Sequence, residues 1–570
     1  MNREAQNVGA PATQADIAGI CGADPLAAEK WIYGIEETFV AMEYPEEVRL
    51  NVALPLLIGN AKHWWDSVKP AYNDTFSSKH PKSSNARVFM EKGKSIESMD
   101  DEHQLPEVII QHIQSFLNRR QAARTSVLSK SWYSAWSTRP ILNFDEGDFQ
   151  IAKVFSEFVK RTMQRYHELK LKIEDFRLQI QVIDSDSAPL ADESITRALQ
   201  LRVNDFSLEI SGGYWKYVLP VQVFEAKSLI NLSVVGCKID QEFNGNMICS
   251  NLLSLTLCRV FIGDDMIRDI VLRCPLLENL HLSECMGLLN VNDRLFAIES
   301  RQYGKLSCLM LERVKINDFF FHDFSLKFPC LEDLSLHDCD GYKDIDIFSH
   351  SLKYISLMHT YKLKKAKFEV PSIRKFEFSA INIPSMCFMT ASREYESYIS
   401  LTCRQHHAVG GSWFLALKKF LTELSRSKIS LKIQIFLDSW DYCMGDNRGF
   451  PVPLVENLKV KVYPSSSLCY AVLDCLFWSC RPKFITIYDD DDIETRMLLC
   501  KLLVQQVIQD RSYSTREFSY MNDLGKVNVE SFEETLKEWQ PLPWQDPLDF
   551  LNVEEVNEEQ FRFRLKWRAS

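Results

Sequence analysis

Seven times between residues 229 and 378 the chain repeats one short pattern: an apolar residue, two positions, a second apolar residue, one position, a third. The copies are Leu229/Leu232/Val234, Leu252/Leu255/Leu257, Leu277/Leu280/Leu282, Leu306/Leu309/Leu311, Leu331/Leu334/Leu336, Leu352/Ile355/Leu357 and Ile373/Phe376/Phe378. Their starts lie 23, 25, 29, 25, 21 and 21 positions apart. In an extended strand, residues two apart share a face and the one between points away. A single short strand cannot bury its apolar face, but stacked copies cover one another. The period therefore demands an array in which each copy supplies a strand, a turn and a return segment of variable length. The predicted class is α/β, dominated by a solenoid over residues 150–490.

If the paired leucines point inward, the residue between them points out along the concave strand face. That row is Thr256, His281, Met310, Ser335, Ser356 and Glu377, flanked by Ser283, Glu312, His337 and Met358. Its mixed size and polarity suit recognition. Substrate contact is expected at Thr256, His281, Met310, Ser335, His337, Ser356 and Glu377, with the later loops and the tail as the competing site. Cys237, Cys285 and Cys339 recur at one offset within their copies. That offset puts each thiol inside the coil near turning backbone, where no redox or metal role is assigned. The period falls within the range of about 20–29 residues found in leucine-rich repeats.

Around the array, the pattern predicts a helix over 151–165, strand-like pieces at 169–181 and 202–210, and a short helix near 194–199. Three degenerate strands at 429–437, 458–462 and 484–488 continue the repeats after a helix at 413–424. In the closing segment, 491–570, a helix is expected over 493–509. Alternation of Phe561, Phe563, Leu565 and Trp567 suits an edge or capping strand.

Upstream lies LPEVIIQHIQSFLNRRQAARTSVLSKSWYSAW, residues 105–136. Leu105-Pro106 suits a helix start, because proline at the first helical position loses no internal hydrogen bond. Val108, Ile109, Ile113, Phe116 and Leu117 form an apolar helical face. Ala122, Val127 and Leu128 carry a second short helix, and Ser129 can cap a third holding Trp132 and Trp136. Each large apolar side chain contributes roughly 1.5–3 kcal/mol when fully buried. A segment this short cannot bury all of them by itself. The surplus must meet another surface: either the domain that follows, as a cap, or a separate protein. Periodicity alone leaves both open.

This order and spacing, with ARTSVLSKSWYSAW and a closing Leu142-Asn143-Phe144, resembles the F-box of plant F-box/leucine-rich-repeat proteins over about residues 101–144. PLVENLKVKVYPSSSLCYAVLDCLFWSCRPKFITIY, FSYMNDLGKVNVESFEE and the final FRFRLKW resemble the same family's late repeats and closing segment. The resemblance implies a three-helix F-box over 100–146 that docks the Skp-type adaptor of a cullin-based ubiquitin ligase. It assigns that contact to Leu105, Pro106, Val108, Ile109, Ile113, Phe116, Leu117, Val127, Leu128, Trp132 and Trp136. The solenoid would hold a protein substrate and raise the effective concentration of its lysines beside a charged ubiquitin-conjugating enzyme.

Residues 26–71 read differently. W-I-x-x-I-E-x-x-F from Trp31 and L-L-I-G-N-A-x-x-W-W ending at Trp65 resemble the capsid region of gypsy-type retrotransposon Gag proteins. The Gag zinc knuckle and protease signatures are missing, and Pro55 interrupts a helical segment. The reading is a fragment fused upstream of an F-box protein. It follows a disordered N-terminus over 1–25 and precedes a flexible linker over 72–99. The alternatives are a Gag-derived assembly or RNA-packaging protein, and a leucine-rich scaffold without a ligase role.

Lys+Arg number 66 against 77 Asp+Glu, a net charge of −11, which counts against broad nucleic-acid binding. No apolar run is long enough for a membrane span, and the first residues lack a basic-then-apolar signal pattern. Sixteen scattered cysteines without a C-x-x-C pair suit a reducing compartment, cytoplasm and/or nucleus. Phosphate-loop, nucleophile-elbow and zinc-protease motifs are absent from the sequence. His406-His407 lacks metal-ligand helix spacing, Cys475 and Cys480 read as core, and the acidic run 489–492 reads as a solvated turn. No catalysis, cofactor or metal is expected.

Overall fold

A computed structural model describes residues 107–115, 117, 122, 123, 125, 126, 128, 130–181, 187–212, 215–240, 249–288, 295, 296, 303–390, 392, 394–405, 411–437, 451–463, 469–487, 499, 500, 503, 523–533, 538–541 and 561–568. The segments 1–25, 26–71 and 72–99, the histidine pair at 406 and 407, and the acidic run lie outside them. Of the helix expected over 493–509, Leu499, Cys500 and Leu503 are described, and all three are buried. The chain divides into two compact units, residues 1–178 with 193–204 and residues 179–192 with 205–570.

The first unit holds helices α1 (Glu107–Ser115), α2 (Lys130–Ser137) and α3 (Ala152–Glu168) and strand β1 (Ile141–Asp145), which pairs with the start of β2 (Asp175–Gln181). Phe155, Val159, Met163 and Tyr166 recur along one face of α3 and are buried. That three-to-four-residue step is what commits the segment to a helix. Phe144 of β1 is 2% exposed and packs edge-on against Phe158 and Phe176. The Tyr166 hydroxyl donates to the Arg139 carbonyl at 2.8 Å, and burial pushes its pKa up to about 12. The short helix expected at 194–199 is the last part of a longer one, α4 (Ser187–Gln200).

The second unit is built on a ladder of parallel strands: β3 (Asp205–Ser211), β4 (Asn231–Val235), β6 (Ser254–Cys258), β8 (Asn279–Ser283), β9 (Cys308–Glu312), β10 (Asp333–His337), β12 (Tyr354–Thr360), β14 (Lys375–Ala380), β16 (Glu396–Gln405), β17 (Lys428–Leu437), β18 (Leu454–Tyr463) and β19 (Arg481–Ile487). The copies stack in phase. Leu232, Leu255, Leu280, Leu309, Leu334, Ile355 and Phe376 are register partners in turn, and none is more than 1% exposed. The expected inward and outward alternation is the one observed.

Two ladder strands lie outside the seven copies and the three degenerate strands. β3 stacks on β4 as one more copy ahead of the first. β16 was not expected, because Ser397 occupies the inward position that Phe376 and Ile429 fill in its neighbours. Ser397 is nonetheless fully buried. Stacking on both sides imposed the strand where local composition was weak.

Repeat length selects the return segment. β12, β14 and β16 pair at an offset of 21 residues, broken once by a bulge that sets Thr360 against Ala380, and their returns are extended: β11 (Asp344–Phe348), β13 (Lys365–Glu369) and β15 (Ser385–Met389) form a second, three-stranded parallel sheet. A strand advances about 3.3 Å per residue, against 1.5 Å in a helix. Short repeats must therefore return extended, and longer ones have room for helix. The 25-residue step from β6 to β8 carries α5 (Asp264–Leu272). The step from β9 to β10, also 25 residues, carries the one-turn α6 (Phe324–Lys327). The 32-residue step from β16 to β17 carries α7 (Gly411–Glu423), and the 27-residue step from β18 to β19 carries α8 (Cys469–Ser479). A two-stranded pairing of β5 (Lys238–Ile239) and β7 (Phe261–Ile262) completes the early returns.

Each early turn is made the same way. The residue after the strand takes positive φ at Gly236, Arg259, Glu284, Arg313 and Asp338, and its N–H donates to a carbonyl near the end of the next strand at 2.8–3.0 Å. Left-handed backbone costs non-glycine residues about 1 kcal/mol or more, and the continued ladder offsets it. Gly236 has no alternative, since a Cβ there would meet the Ile210 carbonyl oxygen at 2.0 Å. Cys285 and Cys339 then donate from Sγ to the Leu257 and Leu311 carbonyls of the preceding copy at 3.3 Å. Burial pushes both thiols up to about 12. The repeated cysteine is thus a hydrogen-bond donor to backbone.

The last parallel strand is closed off by antiparallel β20 (Leu524–Glu533), β21 (Glu538–Pro541) and β22 (Phe561–Trp567), the last pairing directly with β19. The expected capping strand is observed at β22. Covering an edge removes a template for unwanted pairing.

Candidate functional site

Two surfaces are candidates, one in each unit. In the first, α1 and α2 pack through Ile110, Ile113, Trp132 and Ala135, with Ile109 and Leu128 partly buried against them. A polar clamp joins the same helices. Gln114 Nε2 donates to Thr125 Oγ1 at 2.9 Å and to the Trp132 carbonyl at 3.3 Å, while Gln111 Nε2 donates to Thr138 Oγ1 at 3.0 Å. Thr138 also bonds the Glu107 carboxylate at the start of α1.

This packing divides the expected contact residues. Ile113 and Trp132 are 2% and 8% exposed, so they hold the helices together and are not open to a partner. Ile109, Leu117, Leu128 and Trp136 are half-buried, and Val108 is 73% exposed. Leu105, Pro106, Phe116 and Val127 lie outside the described residues. The pattern missed two residues. Ile110 is in the core, next to the chosen Ile109, and a helix carrying three consecutive apolar residues does not say which faces in. Tyr133 is 55% exposed, its ring 6.2 Å from that of Trp136. Its signal was an aromatic residue inside a short helix that already supplied two inward positions.

The second surface is the outward face of the ladder. Thr256, His281, Met310, Ser335, Ser356 and Glu377 are register partners across six strands, extended by Ser233 before and Tyr398 after. Most are half-buried; Ser356 is 9% exposed because its hydroxyl is taken up by neighbours. His337 Nε2 bonds Ser356 Oγ at 3.0 Å, Ser356 Oγ donates to Glu377 at 3.2 Å, and Lys375 reaches Glu377 at 2.6 Å. The Lys375 ammonium sits 4.9 Å from the centre of the exposed Tyr398 ring. Ser283 donates to Glu312 at 2.7 Å. His281 interacts electrostatically with Glu312 and His337, its buried Nε2 lacks a bonding partner, and burial lowers its pKa. Burial also raises the Asp333 carboxyl. The structure therefore brings all seven expected substrate residues onto one face, with side-chain bonds linking β10, β12 and β14 and, separately, β8 and β9.

An open groove of about 550 Å³ lies over the three-stranded sheet, lined by Asp318, His322, Asp344, Asp346, Lys365 and Lys367 among others. Asp346 and Lys367 pair at 3.7 Å, so its charges largely answer one another. Among the described residues no cluster of three or more His, Cys, Asp or Glu is placed to hold a metal, and no helix is long and apolar enough to cross a membrane. Cys475 and Cys480 are buried, and desolvation raises both thiols, Cys480 to about 12. A thiol held protonated is a poor nucleophile.

The sequence carries two family matches in the order of the two units. Residues 103–144 match the F-box domain. Residues 196–295 match the leucine-rich repeats of an FBD-associated F-box protein, At5g56370. Similar proteins come from Arabidopsis thaliana. One named for an F-box and leucine-rich repeats, At3g18150, is 31% identical over 34% of this chain and 39% of its own length. A second so named, At5g02930, is 26% identical over 46% of this chain and 54% of its own. The F-box/LRR-repeat protein At3g58900 is 32% identical over 32% of this chain and 58% of its own. The chain thus matches roughly half the length of these relatives. The matches support the plant F-box/leucine-rich-repeat family, on a mixed α/β fold.

Proposed function

We propose that this protein is the substrate-recognition subunit of an SCF-type ubiquitin ligase. In this reading the helices of residues 107–137 dock a Skp-type adaptor, and through it a cullin, while the outward ladder face captures a protein substrate. The observation that supports it most is the coincidence of the F-box match with a helix pair that keeps apolar side chains outside its own core. F-box/leucine-rich-repeat proteins are in general non-catalytic adaptors. Transfer would then rest on proximity, with substrate lysines held near the ubiquitin donor. All described cysteines are free, which fits work in the reducing cytoplasm or nucleus.

Co-expression with a purified Skp-type adaptor, followed by size-exclusion chromatography, tests the reading. A stoichiometric complex is expected. A folded chain that elutes without the adaptor overturns it.

A further inference from the structure

The outward ladder face changes sign along its length. From β3 to β16 its described acidic side chains are Asp205, Glu209, Glu312, Asp333, Glu377 and Glu396. The one lysine among them, Lys375, is paired to Glu377. On β17 and β18 the signs reverse. Lys428, Ser430, Lys432 and Gln434 alternate with buried Ile429, Leu431, Ile433 and Ile435. Asn457, Lys459 and Lys461 follow in register on β18, where Lys461 is buried. Lys428, Lys432 and Lys459 are exposed. The single carboxylate in these two strands, Glu456, is bonded to Lys483 at 2.8 Å. The change of sign falls between two adjacent strands, since Glu396 is the register partner of Lys428.

Lys432 and Lys459 are direct cross-strand partners. Like charges in that relation weaken a sheet. Neighbouring strands are about 4.8 Å apart and four residues span about 13 Å, so the three exposed lysines cover an area the width of a short extended peptide. Neutral hydrogen-bonding groups lie between and beside them: Asn457 donates to Ser430 at 3.4 Å, and Thr402 of β16 to Gln434 at 3.4 Å.

We propose that the β17–β18 end of the face binds an extended segment of the protein substrate rich in Asp and Glu. The inference rests on the substrate-capture reading above and names the chemistry of what is captured. Lysines spaced along two strands meet successive carboxylates of an extended acidic segment one by one, and the phosphopeptide probe separates this from a single concentrated phosphate charge. Nucleic acid is disfavoured by the acidic remainder of the same face and the net charge of −11.

The test uses the full chain with its adaptor and fluorescence anisotropy of four labelled probes: a Glu/Asp-rich peptide, its Gln/Asn counterpart, a phosphoserine peptide and a single-stranded oligonucleotide. The acidic peptide should bind at least about tenfold tighter than its amide counterpart, and added salt should weaken it. The triple variant K428E/K432E/K459E should lose at least about tenfold in affinity, whereas K365Q/K367Q, on the three-stranded second sheet, should stay within about twofold of the parent. K428Q/K432Q/K459Q, with milder charge change, must show the same direction, which keeps the test valid if the reversal variant folds poorly. Equal binding of both peptides, an unaffected glutamine variant, or tighter binding of the phosphopeptide or oligonucleotide overturns the proposal. Adaptor binding measured on the same samples separates the two claims. A parent chain that holds the adaptor but does not prefer the acidic peptide overturns this inference alone, and a parent chain that binds the acidic peptide but not the adaptor overturns the ligase reading alone.

Discussion

On α1 and α2, Ile113 and Trp132 are buried while Val108 and Tyr133, on the same two short helices, are 73% and 55% exposed. On the ladder, inward Leu255, Leu280, Leu309 and Leu334 are buried together, and the outward positions between them are Thr, His, Met and Ser. The difference follows from element geometry. A strand has two faces, and a strict alternation fills one with apolar groups and leaves the other polar. A helix of two or three turns that carries apolar residues around more than one face cannot hide them all. The helix pair therefore exposes apolar side chains and the ladder exposes polar, charged ones. The two surfaces should respond differently to mutation and to salt.

Core truncation should hurt both units most. Trp132→Ala is expected to destabilise the helix pair by about 3–5 kcal/mol, and Leu334→Ala the ladder by about 2–5 kcal/mol, through lost burial and the cavity left behind. Denaturant titration followed by circular dichroism measures both. An unchanged midpoint for Trp132→Ala would mean that the helix pair is not held by the contacts described.

A slightly smaller loss should follow at the ladder's closed end. Glu530 is 4% exposed and faces Arg562 at 2.9 Å and Arg564 at 2.6 Å, and Arg562 stacks 3.8 Å from the centre of the Phe484 ring. Glu530→Ala removes a buried carboxylate shared by two half-buried arginines and should cost about 2 kcal/mol. Increased protease cleavage near residues 561–568 would report loosening of β22.

The exposed residues should separate binding from folding. Val108→Ser and Tyr133→Ala should each shift stability by no more than about 0.5 kcal/mol. At least one should weaken adaptor binding by more than about 1 kcal/mol in titration calorimetry. If both leave binding intact, the adaptor meets another part of the helix pair.

The smallest effect is one of pH. Burial lowers His281 from its ordinary value of 6.5, with Glu312 acting in the opposite direction. The unfolded chain then takes up the proton first, so this residue lowers stability as pH falls through 6.5 toward its folded value. Above that window it has no such effect. Comparison of the melting temperature at pH 7.5 and 5.5 should show a smaller drop in His281→Asn than in the parent. An identical drop would place the titrating group elsewhere.

The order of helical segment, ladder and closing strand was legible in the sequence because each rests on a local period. The ladder register was legible for the same reason: Leu334 and Leu336 fix Ser335 outward with no knowledge of neighbours. Three things were not. Strand β16 lacks an apolar residue at Ser397, and its neighbours on both sides supplied the stacking that its own sequence did not. The second sheet of β11, β13 and β15 arises from the distance a 21-residue repeat must span, which no window of a few residues encodes. The division of Ile109, Ile110, Ile113 and Trp132 between core and surface depends on how α1 crosses α2. Sequence alone determined which side chains share a face, since that follows from bond geometry within a strand or helix. Only the tertiary structure decided which face is covered, because burial is a property of the neighbour that arrives from elsewhere in the chain.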